Sequence, residues 1–304
     1  EARELTNISK DTQKRIMTGD KSLILPLISY YGTGRLYAQK KEKKNIKSLT
    51  EFKRQVGYVD CMAAETNEKL MLNWFQIQTL KSLQEQQRTG KVEKSLLLKT
   101  VESAICKCFE RISGSKNADI VFDLDTHRLV LNFEGADGSL QKFAMDEMSD
   151  GYKNTLSMIG DIAYRMAVLN PMLGDKVLEE TTGVVVIDEI DLHLHPQWQQ
   201  TIISDLNTIF PKIQFIVSSH APAVINSVAK EQIRILDNGE IYMPAAQTYG
   251  RDANSILREV MKVSERPADI KQRMNLFYSY MDENNYKEAD KVLTEIEILP
   301  FCLI

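Results

Sequence analysis

The stretch that most constrains this chain is Val184-Val185-Val186-Ile187, followed at once by Asp188-Glu189. Four consecutive β-branched residues with no polar alternation read as a strand buried inside a sheet. Two carboxylates then leave that strand at its C-terminal end, which in an open α/β sheet faces the ligand crevice. The neighbouring segments agree. A helical stretch begins at Pro196, a residue suited to a first helical turn, and a second apolar strand follows at residues 213–217. An earlier strand, residues 22–31, carries a Pro interruption and ends at Gly32-Thr33-Gly34. Strands alternating with helices predict a parallel α/β core.

Around that core the pattern changes. Residues 64–87 and 94–111 have helical spacing without internal Gly or Pro and predict a helical hairpin broken near Thr89-Gly90. Residues 120–124 and 129–133 alternate and predict a β-hairpin around Asp125-Thr126-His127. In residues 148–170, Leu156, Ile159, Ala163 and Met166 share one helical face, and Asn170-Pro171 ends the helix. A short hairpin is expected at 233–236 and 241–243, turned by Asp237-Asn238-Gly239. The remainder, 253–299, reads as helical, with an antiparallel pair at 269–281 and 286–297.

Composition excludes several classes. The longest apolar runs, such as 183–187 and 23–28, fall far short of the roughly 20 residues a membrane span needs. The net charge of −4 and the pI near 5.7 do not signal nucleic-acid binding. One local exception is residues 35–54, where Lys and Arg outnumber the two acids Glu42 and Glu51; it reads either as a solvated face or as a nucleic-acid contact. Cys61, Cys106, Cys108 and Cys302 lack zinc-type pairing and read as free thiols in a reducing cytoplasm. The chain starts at Glu1 rather than Met and has no signal-peptide pattern, so the expectation is a start inside a longer product.

Three places carry candidate chemistry. Asp188 is placed to hold Mg2+, through water, since that ion takes few protein oxygens and keeps much of its hydration. Glu189 points onward to where an attacking water would sit and is suited to orient it or take its proton. A strand ending in two acids is also common as plain structure. Ser218-Ser219-His220, after strand 213–217, delivers an imidazole to the same sheet edge, within reach of a γ-phosphate; a lone His there is more often structural. Met148-Ser149-Asp150-Gly151-Tyr152 opens a helix whose unpaired N–H groups and dipole suit a phosphate, and it reads equally as an ordinary capped helix.

Taken in order and spacing, these three resemble the ABC-type ATPases over residues 145–228. Met148–Gly151 stands where that family has its signature motif, Val184–Glu189 its Walker B strand and catalytic Glu, and Ser218–His220 its switch histidine. His195, within Leu192-His193-Leu194-His195-Pro196, falls in the D-loop, where transporters carry Asp. That departure, with Met-Ser-Asp-Gly for Leu-Ser-Gly-Gly, points to stand-alone ATPases of the RecF-like, overcoming-lysogenisation and phage-defence groups. Tyr30–Arg35, Gly57–Cys61, Thr248–Leu257 and Ser264–Pro267 further resemble the PtuA-like ATPases of Septu and of certain retron anti-phage systems, which work with an HNH nuclease, PtuB.

The resemblance implies an ABC-type ATPase head: a P-loop NTPase core with a mixed or parallel sheet, a helical insertion and a C-terminal helical extension. It divides the chain into a remnant of an N-terminal lobe (1–34), a basic loop and helical insertion (35–118), a catalytic lobe (119–245) and a partner-docking helical region (246–304). It implies a cytoplasmic ATPase using ATP and Mg2+, with Glu189 and His220 catalytic, Asp188 on the metal, and Ser149, Asp150, Gly151 and His195 at the nucleotide. Two copies would sandwich ATP. The implied partners are a PtuB-like HNH nuclease and, in a retron, a reverse transcriptase with its msDNA and RNA. The rival readings are a DNA-binding RecF/SMC-like repair clamp and an overcoming-lysogenisation ATPase without its nuclease domain. No G-x-x-x-x-G-K-[S/T] phosphate loop occurs in the sequence, and the retained acids and His favour its lying upstream of Glu1 over a degenerate enzyme.

Overall fold

The structure, a computed structural model, describes residues 2–36, 54–63, 68–90, 94–135 and 137–297. Most of the basic stretch 35–54, residues 64–67 of the first helical segment, and Cys302 lie outside them. The chain divides into two compact units, Glu1–Val224 and Ile225–Ile304.

The first unit runs from helix α1 (Ala2–Met17) to strand β1 (Leu27–Tyr31), helices α2 (Glu68–Thr89) and α3 (Leu96–Ser113), and strands β2 (Lys116–Asp123), β3 (Arg128–Glu134) and β4 (Leu140–Ala144). Helices α4 (Asp150–Leu169) and α5 (Val177–Glu180) lead into β5 (Gly183–Ile187). Helices α6 (Pro196–Gln199) and α7 (Ile202–Ile209), strand β6 (Ile213–Val217) and helix α8 (Pro222–Ile225) follow. The expected strand 22–31 shortens to its second half, since Pro26 has no N–H to give a ladder. The expected helix from Pro196 breaks in two at Gln200-Thr201. Strand β4 adds a third member to the expected hairpin, in the order β2-β3-β4.

The central sheet has the order β1-β5-β6, all parallel, so the Val-rich strand lies in the middle as its composition requires. Tyr31 pairs with Ile187 and Ile187 with Val217, which brings three strand ends level. One face of the sheet is sealed: Leu27, Tyr31, Val185, Ile187 and Ile213 are buried in the core cluster that also takes in helices α3 and α4. The other face carries Ile28, Tyr30, Val184, Val186, Gln214 and Ile216. There Ile28 is 47% exposed and Ile216 51%.

Helix α4 is buried along almost its whole length rather than along one stripe, from Thr155 to Leu169. Its stop residue does more than end it. Asn170 accepts from Leu25 N–H at 2.8 Å and donates to Leu25 C=O at 2.9 Å, pinning the chain as it enters β1. Helix α3 is capped at both ends, by the Ser95 hydroxyl on Leu98 N–H and by Gly114 in the left-handed conformation.

The second unit holds the hairpin β7 (Ile235–Asp237) and β8 (Glu240–Tyr242), helix α9 (Ala253–Glu259), and the helix pair α10 (Ala268–Asp282) and α11 (Tyr286–Glu297). The helical reading of 253–299 is interrupted between α9 and α10. Asp252 caps α9 by accepting from Ser255 N–H, and Thr248 Oγ1 donates to Val228 C=O at 2.7 Å. Arg273 of α10 pairs with Glu295 of α11 at 3.1 Å, as an antiparallel hairpin requires.

Candidate functional site

The level strand ends place three predicted residues on two adjacent loops. Asp188 and Glu189 leave β5, and Ser218-Ser219-His220 leaves β6. The ladder continues past the strands: Asp188 N–H donates to Tyr31 C=O at 2.8 Å, Ser218 N–H to Ile187 C=O at 3.0 Å, and Ile190 N–H to Ser218 C=O at 3.0 Å. Ser218 then joins the two loops through its side chain. Its hydroxyl accepts from Glu189 N–H at 2.8 Å and donates to Asp188 Oδ1 at 2.5 Å. Ser219 Oγ donates to Asp191 Oδ1 at 2.6 Å and accepts from Ala221 N–H at 3.0 Å, which fixes the backbone on either side of His220.

Asp188 and Glu189 are half-buried and His220 is exposed. Glu189 has φ +48°, and His193, four residues on, has φ +62°. Left-handed backbone at non-glycine residues costs energy and gathers where surrounding structure imposes it, often at functional loops.

The tip of α4 is placed by the turn that follows Glu189. A Cβ on Gly151 would lie 2.6 Å from His193 C=O and 3.2 Å from the Trp198 ring, so only glycine lets the helix come this close. Tyr152 packs edge-on against Trp198, with ring centroids 4.4 Å apart. Ser149 occupies the N-cap position, but its hydroxyl makes no capping bond; Ser149 and Asp150 are exposed. His195 caps α6, its Nδ1 accepting from Gln197 N–H at 3.3 Å, a local role the sequence did not suggest.

Among the described residues no group of three or more His, Cys, Asp and Glu gathers as for a metal. No helix among the described residues is long and apolar enough to cross a membrane. In the sequence Ser218 reads only as part of the Ser218–His220 motif, with no role of its own. Its signal was its place, the first polar residue after the strand paired with β5.

The class the fold defines is a parallel α/β domain with two acids and a His at level strand ends, backed by a buried helix. The family model described as "AAA domain, putative AbiEii toxin, Type IV TA system" matches residues 30–226, and the chain belongs to that family. Among its relatives is the retron Vc95 probable ATPase of Vibrio cholerae, 42% identical over 124 residues, which are 40% of this chain and 24% of that one. The retron Ec83 probable ATPase of Escherichia coli is 33% identical over 68% of this chain and 36% of its own length. Septu protein PtuA of Bacillus thuringiensis is 26% identical over 50% of this chain and 41% of its own. The resemblance to Septu and retron ATPases thus holds, while the chain spans less than half the length of these relatives. A solved RecF structure aligns with 72% of this chain and 68% of its own at 12% identity and a TM-score of 0.31, a distant likeness.

Proposed function

We propose that this chain carries the hydrolytic half of an ATP site in an anti-phage defence ATPase. The observation that supports it most is the Ser218 hydroxyl, bonded at once to Asp188 Oδ1 and to Glu189 N–H, which holds two strand-end loops as one unit. In this reading Glu189 orients the attacking water and accepts its proton, and His220 contacts the γ-phosphate. Magnesium held by Asp188 through water would screen charge on the phosphates. Ser149, Asp150 and Gly151 present the α4 N-terminus to a nucleotide bound by a second copy, with His195 at the same junction. These 304 residues contain no G-x-x-x-x-G-K-[S/T] phosphate loop, so this reading concerns only the hydrolytic and signature-type elements of the site.

The relatives named as retron and Septu ATPases favour a cytoplasmic defence complex. A PtuB-like HNH nuclease is the regulated partner, joined in a retron by the reverse transcriptase and its msDNA. The helix pair α10–α11 is the candidate docking element. The test is Glu189→Gln in the full-length protein. Binding of ATP should persist while hydrolysis falls on the order of 10²–10⁴-fold. Turnover at the parental rate would remove Glu189 from the role of base.

A further inference from the structure

Behind the site lies a polar cluster buried as deeply as the apolar core. Asp161 and Arg165, one turn apart on α4, are 1% and 2% exposed, and Tyr31 at the end of β1 is 1% exposed. Asp161 Oδ2 accepts from the Tyr31 hydroxyl at 2.8 Å and from Arg165 Nε at 2.7 Å. Arg165 Nη1 donates to Gly57 C=O and Val59 C=O, both at 2.9 Å. Asp161 Oδ1 is buried with no partner, so the carboxylate holds its neighbours through one oxygen.

A buried ion pair is a poor source of stability, because desolvation of both charges offsets their attraction. Its better-attested use is to fix one arrangement among several that apolar packing would accept. Here the arrangement fixed is that of α4 against the end of β1. Tyr31 is the same residue whose C=O takes the Asp188 N–H, so its side chain and backbone connect α4 to the acid pair. The helix meets the chain leaving β5 a second time at its tip, where Gly151 lies against His193 C=O. Helix α4 is thus tied to the Asp188–Trp198 segment at two points, one polar and deep, one close-packed at the surface.

We infer that Tyr31, Asp161 and Arg165 form a positioning strut that sets Asp188 relative to helix α4, so that what engages the α4 tip is felt at the metal-holding carboxylate. The inference rests on the ATP-site reading above. None of the three residues touches the nucleotide; each acts through the Tyr31 backbone. Outer groups that orient a metal-holding residue are worth about 10–100-fold in affinity or activity when removed, and that is the scale expected here.

The experiment uses the full-length protein with Tyr31→Phe, which keeps the ring and removes only the hydroxyl. Three quantities are read: the Mg2+ concentration giving half-maximal ATP hydrolysis, kcat, and ATP binding in excess EDTA. The strut predicts a rise of about tenfold in the Mg2+ requirement with lowered kcat and unaltered metal-free ATP binding. Leu98→Ala, a cavity in helix α3, which gives the three polar groups no hydrogen bond, is the stability control; it should lower the Tm without moving the Mg2+ requirement. If Tyr31→Phe leaves the Mg2+ requirement unmoved, or Leu98→Ala moves it equally, the strut is refuted. Asp188→Asn separates this from the underlying reading. If Asp188→Asn is defective and Tyr31→Phe is not, the strut alone fails; if Asp188→Asn behaves as the parent, the ATP site itself is misassigned.

Discussion

Glu102 on α3 is buried at 7% exposure and bonds Lys94 Nζ through both carboxylate oxygens, at 3.0 and 2.9 Å. Burial outweighs the lysine and raises its pKa from 4.5 to about 7. A carboxyl group raised on folding binds its proton more tightly in the native state. Its contribution to stability is therefore full below about pH 4.5 and is lost as the pH climbs to about 7. Glu102→Gln removes that dependence. Relative to the parent it should gain stability with rising pH, by at most about 3 kcal/mol at pH 8, measured as the difference in urea midpoints at pH 5 and pH 8. A flat difference would show that Glu102 titrates normally. Ser218 and Asp161 depend on partners far away in the chain, Asp188 and Tyr31, and a sequence pattern has no access to such partners.

At the scale of the element, β5 shows how backbone approach limits composition. Its first residue, Gly183, pairs with Leu27, and a Cβ there would lie 2.1 Å from the Leu27 C=O and 2.7 Å from its N. Those contacts are to backbone in the middle of a sheet, which cannot rotate away. Gly183→Ala is expected to destabilise the first unit by more than about 3 kcal/mol, read by chemical denaturation; a loss within 1 kcal/mol would mean β1 shifts freely. The Val-rich run marked this strand clearly, because four β-branched residues have few other places to go. Strand β4 escaped notice because half-exposed edge strands carry weak patterns, and Phe143 is 45% exposed. Helix α4 was expected as a stripe and is instead enclosed nearly all round, and its buried polar residues Asp161 and Arg165 pair with one another.

Across the molecule, the central sheet has a sealed face and an open one. All-parallel sheets are normally covered on both faces, and Ile28, Val184, Val186 and Ile216 form a contiguous apolar strip. Exposed apolar patches of this kind drive association. This 304-residue chain by itself should self-associate without nucleotide, and Ile28→Glu with Ile216→Glu should shift it toward monomer with unchanged far-UV circular dichroism. Size-exclusion chromatography decides it; a parent already monomeric would mean that the strip does not drive association.

The amino-acid order alone determined the parallel α/β core, the acid pair at a strand end, the His one strand later and the glycine at a helix start. Each follows from local physics: β-branched runs form strands, and strand ends in such sheets face the ligand crevice. Tertiary structure alone decided that β1 and β6 are the strands that flank β5, that Ser218 bonds both loops, and that Tyr31 reaches Asp161 across 130 positions. Those outcomes depend on register and on close packing between residues distant in sequence, and no local preference encodes a distance.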